Sequence, residues 1–362
     1  MIPVYKPYIP FQSVEYATDA IKSTWISSIG KYVDLASERL AKIGGYEYVI
    51  LANNGTSATH LVTKSLKKFH PQIKRVLVPS ACYVAVYNSL MYDNNQWDIQ
   101  CVDLDPETWN MTIEHVGPED AVFAVHNLGN IINIPRLKER HGCVVIEDNC
   151  EGFFGTHDNS FAGSKSLCSS LSFFGNKNIT CGEGGAFMTN DKDIYDFVMK
   201  IRGQGQSEER YIHDELGYNY RMTNVQAAIL LGQLENLEYI FENKKRVFER
   251  YKNNLKSLHD VQVQKEEEGT THSMWMFGVR FRNLSDYKTA REYFNKFKID
   301  TRPMFYSYKK HAHLSLSGED KNAENINKQV VVFPSYPELL NEEVDYICDK
   351  IIEFSNKLKT RK

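Results

Sequence analysis

No apolar run in this 362-residue chain is long enough to cross a bilayer, and its start, MIPVYKPYIPFQ, lacks the apolar stretch of a signal peptide. The seven cysteines (82, 101, 143, 150, 168, 181 and 348) are scattered, odd in number and without a C-x-x-C pair. That excludes a disulfide framework or a zinc ribbon and fits reduced thiols in a cytoplasmic protein. Neither sign of charge dominates: 43 Lys and Arg face 46 Asp and Glu, a net −3. A general nucleic-acid surface is therefore not expected, and an anionic ligand would have to meet a local basic pocket. There is no G-x-x-x-x-G-K-[ST] loop, no internal repeat and no low-complexity linker. No metal site is expected, and no membrane partner.

What is present is the make-up of a folded chain. Hydrophobic residues are 42% and charged residues 25%, which argues against disorder. The length exceeds one comfortable core, so a large domain (1–240) and a smaller one (241–362) are expected. Short apolar runs at 48–52, 75–79, 98–102, 121–125 and 143–146 read as strands buried on both faces. Helical stretches at 56–69 and 81–92 alternate with them, the signature of an α/β, largely parallel sheet. From 190 the pattern turns helical, most clearly over 224–254. A strand over 273–282 and helices over 286–297 and 341–359 predict a small α+β C-terminal domain.

The most informative segment is Ser172-Phe173-Phe174-Gly175-Asn176-Lys177-Asn178-Ile179-Thr180-Cys181-Gly182-Glu183-Gly184-Gly185. A lysine lies between apolar runs, among glycines that let backbone approach a ligand. A buried lysine loses proton affinity, and its neutral amine attacks an aldehyde. On spacing alone, a surface lysine on a loop between strands is the plainer reading. Asp148 ends an apolar strand, where side chains enter the ligand crevice of an α/β sheet or merely cap a turn. Gly55-Thr56-Ser57 opens a helix after a strand, a site for an anion or a simple N-cap.

The lysine segment resembles that of the sugar-nucleotide aminotransferases, a branch of the fold-type I enzymes that use pyridoxal 5'-phosphate (PLP). Further matching motifs follow in order. They are Thr24-Trp25-Ile26-Ser27-Ser28 with Gly30-Lys31-Tyr32, Asn54-Gly55-Thr56-Ser57-Ala58, Ile146-Glu147-Asp148, Gly217-Tyr218-Asn219-Tyr220-Arg221-Met222-Thr223-Asn224, and Thr301-Arg302-Pro303. The resemblance spans nearly the whole chain. It implies a large domain with a mostly parallel seven-stranded sheet flanked by helices, and a PLP cofactor held by Lys177 as a Schiff base. Asp148 would hold the pyridine nitrogen, and Glu151 would lie near the cofactor's O3' hydroxyl. Gly55, Thr56, Ser57 and Ser172 would bind the phosphate, with Asn219 reaching it from a neighbouring subunit of a homodimer. Tyr83 would stack on the ring, or fill core at a strand–helix junction.

On the substrate side the resemblance points to Trp25, Ser27, Lys31, His213, Arg221, Arg302 and Tyr306. The basic residues Lys309, Lys310, His311 and His313 follow in the same loop, and Lys309 and Lys310 also read as a solvated surface. The wording around Lys177 is similar to that of the C-4 enzymes of perosamine and viosamine type. A lysine there, where the related dehydratases carry histidine, implies amino transfer from L-glutamate to a nucleotide-linked keto sugar. A C-3 aminotransferase and a non-catalytic PLP-binding regulator are the alternatives. Departures occur at Gly163-Ser164-Lys165, at Leu128 where tyrosine is common, and at Asn133 where aspartate is common. They weaken transfer of a particular sugar specificity.

Overall fold

The computed structural model describes residues 1–94, 97–113 and 116–360. Two helices come first, α1 (Phe11–Lys22) and α2 (Lys31–Gly44). Strand and helix then alternate: β1 (Tyr48–Ala52), α3 (Gly55–Phe69), β2 (Arg75–Pro79), α4 (Ala85–Met91), β3 (Asp98–Val102), β4 (Asp120–Val125), α5 (Ile134–His141) and β5 (Val144–Asp148). Every residue of β4 is buried, as expected of a strand covered on both faces. A small hairpin, β6 (Thr156–His157) and β7 (Ser160–Phe161), precedes β8 (Ser169–Ser172) and β9 (Gly185–Thr189). Helices α6 (Lys192–Arg202), α7 (Asn224–Glu235) and α8 (Leu237–Leu255) follow.

The main sheet has the order β1-β9-β8-β5-β4-β2-β3, followed by β14 (Ser317–Gly318). Neighbours are parallel except at β9, which is antiparallel to both β1 and β8. The eighth strand, β14, extends the seven-stranded expectation. Its two residues pair with Gln100 and Cys101 of β3. No apolar pattern announces it. Gly318 has φ of 142°, and a Cβ there would stand 1.9 Å from the Cys101 carbonyl oxygen, so the pairing requires glycine.

The helix expected over 224–254 is two helices. They part at Asn236, whose φ and ψ are −112° and 20°. Its Nδ2 donates to the Gly232 carbonyl at 2.8 Å and to Gln12 Oε1 at 3.1 Å, so the side chain competes with the backbone. The second sheet is antiparallel, in the order β10 (Val261–Val263), β12 (Phe277–Phe281), β15 (Val330–Phe333), β13 (Arg302–Pro303). Around it lie α8, α9 (Tyr287–Lys296), α10 (Lys321–Gln329) and α11 (Asn341–Lys359), while β11 (Thr270–Thr271) joins the β6–β7 hairpin. One apolar core runs through α8, this sheet and α11, and Ile2 and Tyr5 pack against it from the other end of the chain.

Lys244 of α8 is wholly buried, and burial holds its pKa well below the usual lysine value. Its Nζ donates to the carbonyls of Trp275, at 2.8 Å, and Ser335. Lys244→Met keeps the volume but leaves both carbonyls without this donor. It should cost about 1–3 kcal/mol, read from the midpoint of urea unfolding.

Candidate active site

Parallel strands place their carboxyl ends on one edge of a sheet, and ligands gather there. β5 ends at Asp148, β8 ends at Ser172, and β1 ends just before α3 begins. Alternation along β5 sends Glu147 and Asp148 to opposite faces. Glu147 Oε2 meets His126 Nε2 at 2.9 Å inside the protein. Asp148 instead borders a cavity of about 500 Å³. Its Oδ1 accepts the Cys150 N–H at 2.9 Å, which fixes the carboxylate at the strand end.

One end of this cavity suits an anion. Asn54, not Thr56 or Ser57, caps α3: its Oδ1 accepts the Ser57 N–H at 2.8 Å. The hydroxyls of Thr56 and Ser57 are thereby spared from capping. Both residues border the cavity, with Gly55 and Ser172. The N–H groups of Gly55 and Thr56 belong to the first helical turn, which has no helical acceptor for them. A Cβ on Gly55 would stand 2.7 Å from Ser172 Cβ, so only glycine lets the helix start this close to β8.

Lys177 lies across the cavity. Its loop is pinned from outside the large sheet. Tyr5 donates its hydroxyl to the Lys177 carbonyl at 2.6 Å, and Trp275 donates Nε1 to the Asn176 carbonyl at 2.8 Å. The Nζ sits 4.0 Å from the centre of the Trp275 ring and 4.0 Å from Glu151 Oε1. Glu151 is buried, and its Oε2 accepts the Leu128 N–H at 2.8 Å. Burial pushes the Glu151 carboxyl up to about 7; Lys177 acts in the opposite direction. Cys150 also borders the cavity, but burial and the Asp148 charge keep its thiol protonated.

A second cavity of about 530 Å³ adjoins the first and shares Tyr83, Asn176, Trp275 and Phe305 with it. Arg302, Tyr306 and His311 border it. Arg302 is bound to Asp300 Oδ1 at 2.6 Å. Lys309 is tied at 2.5 Å to Asp320, which also accepts from Ser307 Oγ, so that lysine anchors its own loop. His313 Nε2 meets Asn88 Oδ1 at 2.8 Å.

The remaining sequence candidates border neither cavity. Trp25 is exposed, and its carbonyl, like that of Ser27, accepts from Asn224. Lys31 pairs with Asp19 at 2.8 Å. His213 is exposed with Nδ1 at 3.0 Å from the Gln204 carbonyl. Asn219 is exposed and its Oδ1 accepts from Arg221 at 3.1 and 3.2 Å.

A half-buried lysine opposite a strand-end aspartate, with a helix start beside them, is a PLP-type arrangement. Comparison with known proteins gives it a family. The model of the DegT/DnrJ/EryC1/StrS aminotransferase family matches residues 8–352. The chain belongs to that family. Its members are PLP-dependent sugar aminotransferases. Among this family member's relatives, the GDP-perosamine synthase of Escherichia coli O157:H7 is 36% identical over 98% of both chains. That of Caulobacter vibrioides is 33% identical over 96% of both. Two solved structures share the fold. A GDP-4-keto-6-deoxymannose-3-dehydratase with bound GDP-perosamine gives a TM-score of 0.89 at 22% identity, covering 97% of this chain and 100% of that one. An aminotransferase of pseudoaminic acid biosynthesis from Helicobacter pylori gives 0.88 at 18%, covering 98% and 99%.

Sequence reading of this family member missed Trp275, Phe305 and Tyr5, which close the site from distant parts of the chain. No motif marks them. Trp275 lies inside the 273–282 stretch whose pattern predicts a plain strand, and only the fold brings it onto Lys177.

The Glu151 shift carries a sign. A carboxyl whose pKa is raised on folding supports the fold below its usual value of 4.5 and loses that support as pH passes through about 7. Glu151→Gln should therefore gain in melting temperature relative to the parent as pH rises from about 5 to about 8, both measured without added cofactor. A constant difference across that range would show that Glu151 does not titrate there.

Proposed function

We propose that this chain transfers the amino group of L-glutamate to C-4 of a nucleotide-linked 4-keto-6-deoxyhexose, giving a 4-amino-4,6-dideoxyhexose nucleotide. The observation that carries the reading is Lys177 Nζ in the same cavity as Asp148 and the start of α3. The GDP-perosamine synthases among the relatives favour a GDP-linked ketone of the mannose series. UDP- or dTDP-linked ketones of the viosamine route come next. PLP, when bound, supplies an aldehyde for an amine and a ring that withdraws electrons from the bond being broken.

The rest is done by the chain. The Asp148 carboxylate holds a proton on the pyridine nitrogen, which keeps the ring cationic. Gly55 and Thr56 N–H groups with the Ser57 and Ser172 hydroxyls hold the phosphate. Tyr83 covers a ring face and limits its tilt. Lys177 Nζ, once free, would carry the proton from the donor's α-carbon to the cofactor's C-4', and in the second half-reaction would carry a proton from that carbon to sugar C-4. Arg302, Tyr306 and His311 in the adjoining cavity receive the sugar nucleotide; the guanidinium of Arg302 meets phosphate oxygens on leaving Asp300. On this reading residues 1–240 carry the cofactor and 241–362 close over it.

The enzyme acts as a homodimer in the cytoplasm. Asn219 and Arg221 face away from their own cavity, which suits donors offered to a second copy, and His213, Trp25, Ser27 and Lys31 are assigned to the same interface. The exposed side chains of Trp25, Ile26, Ile29, Tyr211, Ile212 and Leu216 are apolar surface for it to cover.

Incubation with glutamate and each 4-keto-6-deoxy sugar nucleotide should give an amino sugar from the GDP-linked ketone, seen by mass spectrometry. Product with none of the ketones would refute the assignment. Lys177→Ala should abolish both product and the yellow colour that PLP confers on the native protein. A colourless native protein unable to take up PLP would refute the cofactor assignment.

A further inference from the structure

Behind α3 lies a polar cluster that the proposed chemistry does not use. His60 of α3 is buried, with Nε2 at 3.1 Å from Asp93 Oδ2 and Nδ1 at 3.1 Å from the Tyr220 hydroxyl. Asp93 also accepts from Lys64 Nζ at 3.0 Å and from the Tyr218 hydroxyl at 2.9 and 3.0 Å. It is held at φ of 60°, in the left-handed region, which costs energy for a side-chain-bearing residue. The Tyr218 and Tyr220 rings stack with centres 4.9 Å apart and planes 11° from parallel. His60 is satisfied as a neutral ring, donating from Nε2 and accepting at Nδ1, and burial lowers its pKa toward that form.

The segment between those tyrosines is an extended strip. Its backbone is clamped on both sides: Asn53 N–H donates to the Tyr220 carbonyl at 2.8 Å, and Tyr220 N–H to the Arg202 carbonyl at 3.0 Å. Bridges join Ala52 to Arg221 and Gly203 to Asn219. Side chains alternate along such a strip. Fixing Tyr218 and Tyr220 inward therefore fixes Asn219 and Arg221 outward.

We propose that Asp93, with His60, is a positioning residue that sets Asn219 for the cofactor phosphate in a second copy of the chain. The inference rests on the proposed cross-subunit role of Asn219. It adds a physical link between two sites. His60 lies on the helix whose first turn binds the phosphate in its own subunit, and through Asp93 that helix aligns the donor given to the partner.

Mixed dimers test it. Asp93→Asn and Asn219→Ala should each lower the affinity for PLP, and with it activity, by about tenfold. The double variant should be no worse than the poorer single, because both remove one function. Lys177→Ala chains are inert alone, but they carry an intact Asp93 and Asn219. Mixing them with Asn219→Ala chains should restore activity, and mixing them with Asp93→Asn chains should restore it equally. Rescue of Asn219→Ala without rescue of Asp93→Asn would overturn the positioning role, placing Asp93 in the service of its own subunit's helix. Failure to rescue Asn219→Ala would remove the cross-subunit reading, and this inference with it. Tyr218→Phe deletes only one hydroxyl and repeats the mixing test if Asp93→Asn does not fold.

Discussion

The parallel pairing of β5 with β4 and β8 is the constraint on which the site depends. Strands that run the same way must end at the same edge, and each return crossing must start there again. Asp148, Ser172 and the first turn of α3 reach one cavity for that reason, although they are far apart in the chain. The side-chain period of two then assigns neighbouring acids to different roles. Glu147 stays inside with His126, and Asp148 meets the cavity.

The edge of a sheet is open, and other parts of the chain close it. Tyr5 and Trp275 each hold a carbonyl of the Asn176–Lys177 peptide segment, so Lys177 is oriented from the side of the smaller sheet. Lys244 in turn holds Trp275 through its carbonyl. A buried lysine used this way is a peg that donates to two backbone oxygens from different segments. It couples the packing of α8 and the segment after β15 to the wall against which Lys177 lies.

On the other face of α3, charge and hydrogen bonding set a surface instead of a pocket. Asp93 gathers one histidine, one lysine and one tyrosine, and the strip that it anchors presents polar groups outward. The chain also exposes the apolar side chains of Trp25, Ile26, Ile29, Tyr211, Ile212 and Leu216. The same helix thus serves an inner site with its first turn and an outer surface with its second.

The sequence alone determined the positions of the strands from β1 to β5, because runs buried on both faces are largely apolar (β3 departs from this, its burial alternating along Asp98–Val102), and it marked Lys177, Asp148 and Gly55–Ser57 by motif. It placed α3 to within a residue but not its cap: Thr56 and Ser57 look like caps, and Asn54 reaches Ser57 N–H because it already stands in the extended conformation that a cap needs. Only the tertiary structure decided the rest. β14 pairs through two residues with no pattern of their own, Asn236 divides a helix that periodicity runs on as one, and Trp275 and Tyr5 reach Lys177 from opposite ends of the chain. Periodicity records which face of an element is buried. It carries no information on which distant residue covers it.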